Sequence, residues 1–126
     1  MNAPRFEIQA TVCLVLLVAA WMPPRLLVFD TGSGKQVASA EIASNTDDMF
    51  YDAARSRVYV LATVGFIEVF QRKDPDHYDR IAWYQTPPGT QTGLFVPELG
   101  QLFAGVQGRS EQQRSEILVY EAKRPV

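Results

Sequence analysis

The sequence predicts an all-β fold, and three observations carry that expectation. From Leu26 onward the apolar runs are short and rich in Val, Ile, Phe and Tyr. Turn-forming residues separate them every 6 to 12 positions, the punctuation of many short strands. No window of ten or more residues in this part carries an apolar stripe of helical period.

The segment before Leu26 has a different texture. ATVCLVLLVAAWM, residues 10–22, holds no charge in 13 positions and is closed by Pro23-Pro24-Arg25. As a helix it would span roughly 20 Å, short of the roughly 30 Å hydrocarbon core of a membrane. We therefore expect residues 1–25 to form an apolar, helical N-terminal segment, a candidate signal peptide or membrane anchor attached through residues 10–22. Val18-Ala19-Ala20 supplies small residues at a cleavage position. Against this, Arg5 is the only basic residue ahead of the run and Glu7 cancels it. A core strand or helix of the folded domain and a mis-assigned start of the reading frame remain open, because short apolar runs are ambiguous by periodicity. Cys13 lies inside the run and reads as an apolar filler, since thiol reactivity needs exposure and a basic neighbour.

Self-comparison is the most informative step. Leu26-Leu27-Val28-Phe29-Asp30, Phe66-Ile67-Glu68-Val69-Phe70 and Glu116-Ile117-Leu118-Val119-Tyr120 all place Val before an aromatic. The Val positions are 41 and 50 residues apart. Met49-Phe50-Tyr51-Asp52 leads through a turn to Arg57-Val58-Tyr59-Val60, as Leu94-Phe95-Val96-Pro97 leads to Gln101-Leu102-Phe103-Ala104. A period of 40 to 50 residues with four strands per unit is the spacing of β-propeller blades.

The strands follow in that grammar. An incomplete first piece, residues 26–42, has strands over 25–30 and 36–42. Thr31-Gly32-Ser33-Gly34-Lys35 joins them, with glycines free to take positive φ in a tight hairpin. Along 37–42, Val37, Ser39 and Glu41 alternate with Ala38, Ala40 and Ile42, as an outer strand with one wet face requires. A complete four-stranded antiparallel blade, residues 47–86, has strands over 47–52, 57–62, 66–71 and 80–86. The last piece, residues 92–121, has strands over 92–97, 101–106 and 116–121. Residues 26–126 thus form a partial β-propeller of about two blades.

The hairpin Val28-Phe29-Asp30-Thr31 with Gly34-Lys35, the hairpin from Asp47-Asp48 to Arg57-Val58-Tyr59-Val60, and Leu94-Phe95-Val96-Pro97-Glu98-Leu99 leading to Leu102-Phe103 carry a resemblance. On these, residues 26–121 resemble the C-terminal part of a YVTN-type β-propeller, a relative of WD-repeat and quinoprotein-like propellers. The resemblance implies a mostly exported or surface protein, hence a periplasmic, secreted or membrane-attached location rather than a cytoplasmic one. Family propellers have about seven blades, so it also implies a truncated member. None of the relatives' enzyme or cofactor sites maps onto residues of this chain.

Candidate sites are few. One Cys excludes a disulfide framework and a CxxC pair, and one His excludes a multi-His metal site within the chain. A net charge of -2 disfavours nucleic acid as a partner. Asp47 and Asp48 precede an inner strand, which in a propeller approaches the mouth of the central channel, and are the candidate ligand-binding residues. Structural alternatives for them are a polarised turn or ion pairs with Arg55 and Arg57. Asp74, Asp76 and Asp79 concentrate carboxylates beside His77 and are the candidate metal ligands. An EF-hand loop fails there, since Tyr78, Asp79 and Gln85 stand where a ligand, Gly and Glu are needed, and a solvated loop is the alternative. Gly32-Ser33-Gly34-Lys35 is no phosphate loop: Phe29 and Gln36 occupy required positions and a strand follows. Gly108-Arg109-Ser110 fails as a nucleophile elbow at Gln112.

The expected function is a non-enzymatic repeat module acting as a binding scaffold, with no cofactor. The alternative is a fragment of a propeller enzyme or cofactor-binding subunit, lactonase-like or quinoprotein-like. Two blades leave open faces, and the strand over 116–121 is an unpaired edge, so a protein partner or self-association through open blade edges is expected.

Overall fold

The computed structural model describes residues 15–123. It contains ten strands and, among the described residues, no helix. The strands are β1 (Val15–Trp21), β2 (Pro24–Asp30), β3 (Gln36–Glu41), β4 (Thr46–Asp52), β5 (Arg57–Ala62), β6 (Phe66–Asp74), β7 (His77–Gln85), β8 (Thr90–Val96), β9 (Gln101–Val106) and β10 (Glu116–Glu121). They form an N-terminal sheet β1-β2-β3, a central sheet β4-β5-β6-β7 and a C-terminal sheet β8-β9-β10, all antiparallel between sequence neighbours.

The expected helix in the apolar N-terminal segment is corrected over its described part. Val15–Trp21 is a strand, paired residue for residue with Pro24–Asp30. Its alternation explains why a charge-free run suits a strand here. Val15, Leu17 and Ala19 pack against a core, while Leu16 between them is 54% exposed. The remainder of the expected segment, residues 1–14, lies outside the described residues. Among the described residues no helix is long and apolar enough to cross a membrane.

Two cores lie between the three sheets. Leu26 and Val28 of β2 meet Val58, Val60, Phe70 and Tyr78 of the central sheet in the first. Tyr59, Leu61, Ile67 and Val69 of the central sheet meet Phe95, Leu102 and Ala104 of the C-terminal sheet in the second. Strand β5 serves both: its six residues are all buried, and its two-residue period sends Val58 and Val60 one way and Tyr59 and Leu61 the other. Full burial of such a side chain stabilises by about 1.5–3 kcal/mol, so this strand anchors both interfaces.

Two glycines permit the close approach. Gly65, in the β5–β6 turn, has φ +112°, and a Cβ there would sit 2.8 Å from the Thr86 carbonyl oxygen. At Gly93 in β8 a Cβ would meet the Leu61 side chain at 2.8 Å, so β8 lies tight against β5.

Three hairpins share one register. Val28 faces Leu17 in β1–β2, Val69 faces Tyr59 in β5–β6, and Val119 faces Phe103 in β9–β10. One residue earlier, Leu27 faces Val18, Glu68 faces Val60, and Leu118 faces Ala104.

Candidate functional site

The acidic pair at the start of β4 sits where two sheets meet. The Thr92 amide donates to Asp47 Oδ2 at 2.7 Å, and the Gly93 amide to Asp48 Oδ2 at 3.2 Å. Asp48 Oδ1 also accepts the Met49 amide at 3.0 Å. Both β4 and β8 carry a register shift here, between Thr46 and Asp48 and between Gln91 and Gly93. Each shift frees backbone groups from the ladder, and the β8 amides are met by the β4 carboxylates. Asp47 and Asp48 thus tie β8 to β4 through charge-assisted hydrogen bonds.

Asp74, Asp76 and Asp79 lie along the β6–β7 turn and its flanks. Asp74 is engaged within the turn: both its oxygens lie within 2.8 Å of His77 Nδ1, and Oδ1 accepts the Asp76 amide. That contact raises the His77 pKa and, with the Asp76 amide, lowers that of Asp74. Among the described residues no group of three or more His, Cys, Asp or Glu is placed to hold a metal ion.

A polar cluster that sequence reasoning missed lies at the end of β4. Asp52 is 1% exposed. Its Oδ2 accepts the Tyr59 hydroxyl at 2.7 Å and Arg55 Nη1 at 3.2 Å, and its Oδ1 accepts the Arg55 amide at 3.2 Å. Arg55 therefore pairs with Asp52. Burial, then the Asp52 carboxylate, pushes the Tyr59 phenol up to about 12. Beside it Arg57 Nε donates to Gln71 Oε1 at 3.1 Å, and Nη1 reaches the Lys123 carbonyl at 2.7 Å, fastening the chain after β10 to the central sheet. The available signal was Asp at a strand end with Arg three residues on and Tyr across the hairpin, which also describes an ordinary turn.

Glu68 does a related task at the other interface. It is 2% exposed, accepts the Ala43 amide at 2.6 Å and pairs with Arg80 at 3.0 Å. The segment between β3 and β4 is thereby held to β6.

Two further features among the described residues are open to solvent. The first is a cleft of about 560 Å³ between the central sheet and β9–β10, walled by Tyr59, Arg57, Gln71, Tyr84 and Tyr120. The Tyr84 and Tyr120 rings are 6.0 Å apart. Strand β10 borders this cleft and, among the described residues, is an edge strand of its sheet.

The second is the outward face of the C-terminal sheet. Leu94, Phe103 and Val119 stand in line across its three strands, with Ile117 beside Gly105. Leu94 is 58% exposed, Ile117 73% and Val119 54%. On the far side of the molecule Leu16, 54% exposed, faces Phe29, and Val18 faces Leu27, on the outward face of the N-terminal sheet. Comparison with protein-family models and with curated proteins finds no match for this chain.

Proposed function

We propose that the chain is a segment of a β-propeller, a YVTN-type repeat module whose three sheets are successive blades, and that it works as a non-enzymatic interaction scaffold. One observation carries the reading. Ile67 and Val69 on β6 are 1% and 7% exposed, buried against the next sheet. Ile117 and Val119 hold the equivalent places on β10 and are open to solvent. A sheet that keeps valine and isoleucine on a bare face is built to receive another sheet. Asp47, Asp48 and Asp52 serve as structural acceptors in this reading, met by backbone amides, a phenol and a guanidinium.

Extending the chain by one period tests this. The shared register makes Arg72 equivalent to Ala122, so a second copy of residues 73–122 is fused directly after residue 122. The copy is expected to supply a fourth strand to β10 and a sheet over Val119. It should then resist proteolysis, and exchange at the Val119 and Phe103 amides should slow. An appended copy that is degraded while the parent is untouched would overturn the reading.

A further inference from the structure

We infer that two copies of this chain close on each other head to tail, the outward face of each C-terminal sheet seated on the outward face of the other copy's N-terminal sheet. The inference rests on the blade reading above and names its partner.

Each internal interface joins a donor face to a receiving face. In the first core the donor Val28 shares its cluster with the receiver Val58; in the second, Val69 shares its cluster with Leu102. The receivers are equivalent by register. Val58 faces Phe70, Leu102 faces Tyr120, and the matching position in β1 is Leu16, which faces Phe29. Val60, Ala104 and Val18 match in the same way, facing Glu68, Leu118 and Leu27. The donors Val28 and Val69 are matched by Val119. Among the described residues one donor face, at Val119, and one receiving face, at Leu16, are therefore unused, and these two residues are each more than half exposed. Leu94, Phe103, Val119 and Ile117 on one face, and Leu16, Val18, Leu27 and Phe29 on the other, repeat the apolar, β-branched and aromatic chemistry of the two interfaces already made within the chain, while the β3 row of the receiving face, Gln36, Ser39 and Glu41, is a polar margin. The contact is heterologous, because donor and receiver are different surfaces.

Size decides between one contact and two. A face of three six-residue strands measures roughly 20 Å by 14 Å, about 300 Å². A stable complex buries about 800 Å² on each partner. One such contact falls well short of that, whereas two copies using both faces bury about 600 Å² each, about 1,200 Å² in total, which clears the roughly 1,000 Å² that a specific interface needs. Closure also leaves neither face free, and an open head-to-tail contact would instead grow into a filament. Two copies bring together six sheets, within the four to eight of a closed ring.

The full chain is expected to sediment at twice its 14.1 kDa mass. With Cys13→Ser as background, Leu16→Cys and Val119→Cys are made as two separate proteins. On oxidation a covalent dimer is expected when they are mixed and not from either alone. Cross-linking of the Val119→Cys protein by itself would mean two like faces meet, and would overturn the arrangement. So would a monomer at every concentration, or a mass growing past two copies. If the extended chain of the preceding section is protected while the parent stays a monomer, self-pairing is overturned and the blade reading stands. If the mixed cross-link forms but the appended copy is degraded, the blade reading falls.

Discussion

Val119 occupies in the β9–β10 hairpin the place that Val69 occupies in β5–β6: each faces an aromatic residue, Phe103 and Tyr59 respectively, on the neighbouring strand. Val69 is 7% exposed and Val119 is 54% exposed. The difference is the presence of a neighbouring sheet, which covers Val69 with Phe95 and Leu102 and has no counterpart over Val119 among the described residues.

That contrast sets a first expectation. Val69→Ala should cost about 1–2 kcal/mol, as buried methyl groups are lost and a gap is left. Val119→Ala, measured at a concentration low enough to keep the chain single, should stay within about 0.5 kcal/mol, as surface changes do. Urea denaturation of the two variants checks it. Equal losses would mean that Val119 is covered in the isolated chain.

Asp52 and Tyr59 form the buried polar pair that supports β4 against β5. Tyr59→Phe should destabilise by about 1–2 kcal/mol, since Asp52 loses a donor it cannot replace with water. The phenol also sets a pH dependence. Its pKa is raised from 10.0 to about 12 in the folded chain. The protonated form is thus favoured by folding, so its contribution is complete below pH 10.0 and is lost as pH rises towards 12. Stability measured across that interval should fall less steeply in Tyr59→Phe than in the parent.

Asp74 and His77 titrate with opposite signs. The imidazole is raised above its ordinary 6.5, so its contribution is present below that value and lost as pH rises through the folded pKa. The carboxyl is lowered below 3.8, so its contribution is present above that value and lost as pH falls through the folded pKa. The pair is therefore at full strength between about pH 3.8 and 6.5. Proton NMR should place the His77 pKa above 6.5, and Asp74→Asn should return it towards that value.

Asp47 and Asp48 act as ties between sheets in this account. Asp48→Ala should cost about 1–2 kcal/mol, because the Gly93 amide loses a charged acceptor. Amide exchange at Thr92 and Gly93 should accelerate in Asp47→Ala and Asp48→Ala respectively. Faster exchange confined to other strands would contradict this role.

The strands were legible where alternation and turns agree. Residues 57–62, 101–106 and 116–121 were expected with the bounds that β5, β9 and β10 have. Val58 and Tyr59, adjacent and both apolar, mark a strand buried on two faces. Strand β1 was hidden because Leu16, Leu17 and Val18 are apolar on both faces, so no period of two shows. The helical expectation followed from length and lack of charge alone. The role of Asp52 was hidden for another reason: its partners lie three residues on and across a hairpin, and only pairing Asp52 with Arg57 brings Tyr59 and Arg55 to it. Asp47 and Asp48 were visible as residues, but their acceptors' partners are backbone amides 45 positions away, which carry no sequence signature.

The central claim is that the C-terminal sheet ends a stack built to continue. Thermal unfolding of the chain extended by a second copy of residues 73–122 tests it most directly. Cooperative stacking gives one transition, shifted upward from the parent by about 2–4 °C for each kcal/mol gained. Two separate transitions, or one at the parent's midpoint, would contradict it.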